Sequence, residues 1–103
     1  MGVLISFYII PLGRGTSISR YVGEAIRILR ENNVKYMLTP ESTIIEADSV
    51  EEGLKIIATV HERIMSLGVE RMVTVVKIDD RRDKPLSIDV MRQKIKLIEE
   101  SVG

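Results

Sequence analysis

The stretch that most restricts how this chain can fold is "VLISFYII", Val3 to Ile10, because it is apolar on both sides of an extended strand. Val3, Ile5, Phe7 and Ile9 fall on one side; Leu4, Ser6, Tyr8 and Ile10 fall on the other. Its β-branched and aromatic residues, ended by Pro11 and Gly13, mark a strand. "RMVTVVKID", Arg71 to Asp79, repeats the pattern, with Met72, Thr74, Val76 and Ile78 against Val73, Val75 and Lys77. A strand with one wet face alternates apolar with polar. These two do not, so both faces of the sheet call for a cover. At ~25 cal/mol per Å² of apolar area, leaving several such side chains in water forgoes several kcal/mol.

The segments between them carry a different period. After the Gly-containing loop "LGRGTS", Ile18, Val22, Ala25 and Leu29 share one face of a helix, while Arg20, Glu24, Arg27 and Arg30 lie off it. Thr16 or Ser17 is expected to cap that helix, and Asn32 and Asn33 to end it. "KYMLT" and "STIIEA" are short strands joined by a hairpin across Thr39 to Ser42, with Pro40 setting the turn. "SVEE" reads as a capping box in which Ser49 caps Glu52 and Glu52 reaches back. The helix it opens places Val50, Leu54, Ile57, Ala58, His61, Ile64 and Met65 on one stripe, and Gly68 closes it. Ser87 caps a last helix with Ile88, Met91, Ile95, Ile98 and Val102 on one face. The order is β-α-β-β-α-β plus a helix. It predicts an α+β, ferredoxin-like sandwich over residues 1–103: a four-stranded antiparallel sheet, two helices on one face and an extra C-terminal helix. That last helix is about 20 Å long, short of covering a whole sheet face, so a homo-oligomer is expected.

Composition removes whole classes of function. Lys and Arg number 15, as do Asp and Glu, and this zero balance argues against nucleic acid or an anionic membrane as partner. There is no cysteine, which excludes disulfides, thiolate catalysis and zinc–thiolate or iron–sulfur sites. "MGVLISFYIIPLG" is too short to span a bilayer and lacks a basic leader, so the expectation is a soluble cytoplasmic protein. The 29% of charged residues and the scarcity of Asn and Gln lean towards a thermophile.

Four stretches, in this order along nearly the whole chain, resemble one family. They are "IIPLGRGTSISRYV" (Ile9 to Val22), "KYMLTPESTIIEA" (Lys35 to Ala47), the His61–Glu62 pair and "VVKIDDRRDKP" (Val75 to Pro85). The family is that of the small thiamine-binding proteins, and the last stretch is the most specific. The resemblance implies a homotetramer of ferredoxin-like subunits that binds thiamine or a related pyrimidine without catalysis. This chain departs from the family in having Glu41 and Ser42 after Thr39-Pro40, where small or apolar residues are usual.

A thiamine pocket needs an apolar or aromatic wall, hydrogen-bond partners for the aminopyrimidine, and negative charge near the thiazolium. Phe7, Tyr8, Tyr21 and Tyr36 are the only aromatic residues, and Glu46 is the acid most embedded in a strand. The candidate ligand residues are therefore Ser6, Tyr8, Thr39, Thr43, Glu46 and His61. For each the plainer reading stands beside it: Ser6 and Thr74 hydrogen-bonded to each other, Glu46 reaching solvent, and His61 a hydrogen-bonded core residue. A lone histidine builds no zinc site, so no metal is expected. In "KIDDRRDKP" charges of both signs crowd together. Lys77, Asp79, Asp80, Arg81, Arg82 and Asp83 are candidates for a subunit interface, where arginine contacts carboxylates bidentately. A solvated loop and a ligand contact stay open for the same residues. "GRGTS" lacks the lysine and spacing of a phosphate loop, and "STIIEA" lacks the stacking aromatics of an RNA-recognition strand.

Two functions of different class follow. One is a small-molecule carrier, buffer or sensor for thiamine or a pyrimidine, with no bound cofactor and no enzymatic activity. The other is an oligomeric scaffold or regulatory module with no thiamine binding.

Overall fold

Strand β1 (Val3–Pro11) runs through the middle of the molecule, and everything else is arranged around it. The chain continues through α1 (Ser19–Glu31), β2 (Lys35–Leu38), β3 (Thr43–Ala47), α2 (Val50–Met65), β4 (Met72–Asp79) and α3 (Ile88–Val102). This computed structural model describes residues 2–103. The four strands form one sheet in the order β2-β3-β1-β4, antiparallel at each neighbour. This is the ferredoxin-like arrangement, and the periodicities above account for it.

The helix-side face of the sheet holds the main core. Val3, Ile5, Phe7 and Ile9 of β1 and Ile45 of β3 pack against Tyr21, Ala25, Ile28 and Leu29 of α1 and Ile57, Val60 and Ile64 of α2. Helix α1 ends in a Schellman motif: Asn33 takes φ 55°, its N–H donates to Arg30 O, and Val34 N–H donates to Leu29 O. Its start differs from expectation. Ile18 is the N-cap and no side chain caps the helix; the Ser17 hydroxyl donates to Ser19 Oγ instead. At α2, Ser49 Oγ accepts from Glu52 N–H at 3.1 Å. The return bond from the Glu52 carboxylate is not made among the described residues, so half of the capping box forms. Ser87 Oγ accepts from Val90 N–H at 3.0 Å and caps α3.

The other face of the sheet is only partly covered. The first turn of α3 and the loop before it seat Leu86 and Ile88 on Leu4, with Met37, Ile44 and Met91 around them. Beyond that turn α3 leaves the sheet, and its Ile95, Ile98 and Val102 are exposed. Tyr8, Ile10, Val73 and Val75 form an open apolar area, 40%, 39%, 41% and 36% exposed. The register explains the grouping, because Tyr8 pairs with Val75 and Ile10 with Val73. Among the described residues, no helix is long and apolar enough to cross a membrane.

Candidate functional site

A deep cleft lies where the sheet splits. β1 pairs with β4 as far as Pro11, but with β3 only as far as Phe7, opposite Thr43. Beyond that rung β3 has already turned through the hairpin. Thr39 N–H donates to Ser42 O at 2.9 Å, and the Thr39 hydroxyl accepts from Ser42 N–H at 2.9 Å while donating to Ser42 O at 2.8 Å. The hairpin tip therefore stands apart from β1. Between it and α1 is a cleft of about 820 Å³, within the size range of small-molecule sites.

Three kinds of group line this cleft. Phe7, Ile18, Val22, Ala25, Ile26 and Leu38 make an apolar wall. Gly23 adds room: a Cβ placed there would meet nothing within 4 Å. Thr43, only 5% exposed, offers a hydroxyl with no hydrogen bond among the described residues. Four charges complete the rim: Arg27, Arg30, Glu31 and Glu41. Arg27 pairs with Glu24 at 3.4 Å, while Arg30 Nε donates to the neutral Tyr36 Oη at 2.8 Å and keeps its charge. Glu31 and Glu41 form no ion pair among the described residues, so two unpaired acids face one unpaired arginine and the rim is negative on balance.

Backbone groups matter as well. Leu12 N–H donates to Arg71 O, which continues the β1–β4 register one rung past Pro11. In an antiparallel ladder a residue's N–H and C=O point to the same neighbour, and successive residues alternate. Even-numbered residues of β1 thus address β4, and odd-numbered ones address β3. Ile9 is the first odd residue past the last β1–β3 rung. Its register partner is Glu41, which lies in the turn rather than in β3. Ile9 is 3% exposed and lines the cleft. Its N–H and C=O enter no turn, loop or side-chain hydrogen bond among the described residues. Pro11, the next odd residue, has no N–H to strand there.

The candidate residues from the sequence fall into three places. Thr39 and Thr43 line the cleft, and Tyr8 borders it from a strand position whose side chain, by alternation, lies on the open face with Ile10. Ser6 and Glu46 lie on the opposite face of the sheet, and the Glu46 carboxylate accepts from Ile88 N–H at 2.8 Å, anchoring α3. His61 borders a second, shallower groove of about 410 Å³ between α2 and β4. There its Nδ1 lies 2.7 Å from Thr74 Oγ1. Thr74 is therefore bonded to His61 and not to Ser6, because the register puts Thr74 and Ser6 on opposite faces. Helical periodicity placed His61 correctly on the inner stripe, but only the β4 register brings Thr74 to it. Among the described residues, no cluster of His, Asp and Glu stands close enough to hold a metal ion.

The charged loop after β4 settles its charges internally. Arg81 donates to both carboxylate oxygens of Asp83, at 2.7 and 3.1 Å, and Arg82 pairs with Asp80 at 2.9 Å. The paired guanidiniums hold the Asp80 and Asp83 carboxyls below the usual carboxylate range. Lys77 and Asp79 are exposed on the edge strand next to it.

Comparison with known families now adds to this geometry. The thiamine-binding protein family matches residues 5–99. The chain belongs to that family. Among its relatives is a UPF0045 protein of Methanothermobacter thermautotrophicus, 35% identical over 95 residues, spanning 91% of this chain and 93% of that one. The UPF0045 protein YqgV of Bacillus subtilis is 38% identical over 86 residues, covering 79% and 82%. The crystal structure of a Methanocaldococcus jannaschii protein, 34% identical, superposes with a TM-score of 0.83 over 92% of this chain and 96% of that one. A Thermotoga maritima structure, 19% identical, shares the fold with a TM-score of 0.77 over 92% and 99%.

Proposed function

We propose that this protein binds thiamine or a related pyrimidine reversibly, as a carrier, buffer or sensor, and does no chemistry on it. The match of residues 5–99 to the thiamine-binding family carries the reading. The cleft between α1 and the β2–β3 hairpin supports it, because it supplies each thing thiamine needs. The apolar wall takes the flat rings. Thr43 and the Ile9 backbone offer hydrogen bonds to the pyrimidine. Glu41 and Glu31 give the thiazolium a negative rim. In this reading Tyr8, Thr39 and Thr43 belong to the ligand site, with Thr39 acting by holding the hairpin in shape.

Thermal unfolding with added ligand tests this. A ligand that binds only the folded state raises Tm with the logarithm of its concentration once that exceeds Kd. Tm is expected to climb steadily with thiamine, and Glu41→Gln to weaken thiamine more than it weakens the neutral aminopyrimidine half. No shift at millimolar thiamine contradicts the reading.

The same proposal has the protein working as a homo-oligomer, a tetramer on the family resemblance. The open area of Tyr8, Ile10, Val73 and Val75, and separately the exposed Ile95, Ile98 and Val102 of α3, are apolar surfaces that a second copy would bury. The paired loop of Asp80, Arg81, Arg82 and Asp83, with Lys77 and Asp79 at its base, is the proposed polar rim of that contact. Native mass spectrometry reads the subunit number directly. A monomer at micromolar concentration contradicts this part.

A further inference from the structure

We propose that the aminopyrimidine is read by the main chain of Ile9, whose N–H donates to the ring nitrogen and whose C=O accepts from the neighbouring exocyclic amine. The inference rests on the reading of the cleft as the thiamine site and says how that site would recognise its ligand. In the β1–β3 ladder, Val3, Ile5 and Phe7 each face a β3 residue, Ala47, Ile45 and Thr43. By alternation each offers one N–H and one C=O to that partner. At Ile9 the same pair of groups faces the cleft, because Glu41 has left the ladder. A buried donor and acceptor side by side, without partners, is a costly arrangement to leave unmade.

The chemistry that fits is narrow. A 4-aminopyrimidine presents a ring-nitrogen acceptor next to an amine donor on one edge. That is the complement of one N–H and one C=O side by side, the same match by which a side-chain amide reads the amino edge of adenine. A peptide strand fits less well. Only one residue of β1 is free, and Pro11 beyond it lacks the N–H needed to continue a ladder. Thr43 on the rung before, with its free hydroxyl, sits next to the same edge. Side chains do not set this preference, so it depends on where β3 ends.

The test uses thiamine and oxythiamine on the intact protein, with ¹⁵N amide spectra to locate the contact. Oxythiamine carries an oxo group in place of the amine and a proton on the adjacent ring nitrogen. Its edge then sets acceptor against Ile9 C=O and donor against Ile9 N–H. Thiamine is expected to shift the Ile9 amide, and oxythiamine to bind at least about 100-fold more weakly. Equal binding of the two overturns the inference and leaves thiamine binding intact. So does a thiamine complex that leaves the Ile9 amide unmoved and shifts amides around His61 or Glu46. Binding of neither compound, nor of the free aminopyrimidine, overturns both.

Discussion

His61 Nδ1 and Thr74 Oγ1 lie 2.7 Å apart, a single bond tying α2 to the edge strand β4. It sits in its own groove, away from the cleft beside the hairpin. Thr74→Val removes the hydroxyl and leaves the half-buried imidazole without its partner. The expected loss is about 1 kcal/mol of stability, read by urea unfolding, with thiamine affinity unchanged. A large loss of affinity would move the ligand site to α2 and β4.

Two helical glycines are predicted to respond in opposite ways. At Gly53, in the first turn of α2, an added Cβ collides with Ile5 Cδ1 and comes within 3.3 Å of Ala47 Cβ. Ile5 is fully buried, so the core must shift. Overpacking of this kind costs about 1–3 kcal/mol, more than the up to about 1 kcal/mol gained from alanine's helix propensity. Gly53→Ala is expected to lower Tm.

Gly23, in α1, meets open space where it borders the cleft. Gly23→Ala should therefore stabilise by about 0.5–1 kcal/mol through backbone entropy alone. Gly23→Leu starts from that open Cβ position and places a bulky side chain at the cleft. It is expected to keep its circular dichroism and thermal stability and to lose thiamine binding. Binding that survives in a folded Gly23→Leu protein would count against the cleft.

Much of the fold was legible because it is written locally. The switch of period from 2 to 3.6, the turn at Pro40 and the hydroxyl caps at Ser49 and Ser87 each depend on neighbours within a few residues. The apolar back of the sheet was legible too, from Ile10, Val73 and Val75. The site was less so. Its cleft exists because β3 ends at Thr43 while β1 runs on to Pro11, and that mismatch is a matter of register between distant segments. Glu46 looked like a pocket acid from its strand position, yet it holds Ile88 N–H, 42 residues on. The Ile9 contribution is backbone, which no residue type announces. Glu41 was visible as a departure from the family, and the structure sets it at the hairpin tip.

The docking of α3 should depend on pH in a predictable direction. Lys35 Nζ and Asp89 Oδ2 form an exposed pair at 2.6 Å. The hydrogen bond lowers the Asp89 pKa and raises that of Lys35. A lowered carboxyl contributes stability that is full above its unfolded value, about 3.9, and is lost as pH falls through the folded one. A raised lysine contributes below its unfolded value and loses that as pH rises through the folded one. Amide protection in the first turn of α3, taken relative to the intrinsic exchange rate at each pH, is thus expected to stay flat across neutral pH and to fall below about pH 4. Asp89→Asn should lower that protection slightly at neutral pH and flatten its acid limb. Because the pair is exposed, added salt should weaken it as well.

Calorimetric titration of the protein with thiamine, followed by recovery and mass measurement of the ligand, tests the central claim most directly. The account predicts saturable heat, one site per subunit, and thiamine recovered unchanged. No heat up to millimolar thiamine, or a ligand of altered mass, would contradict it.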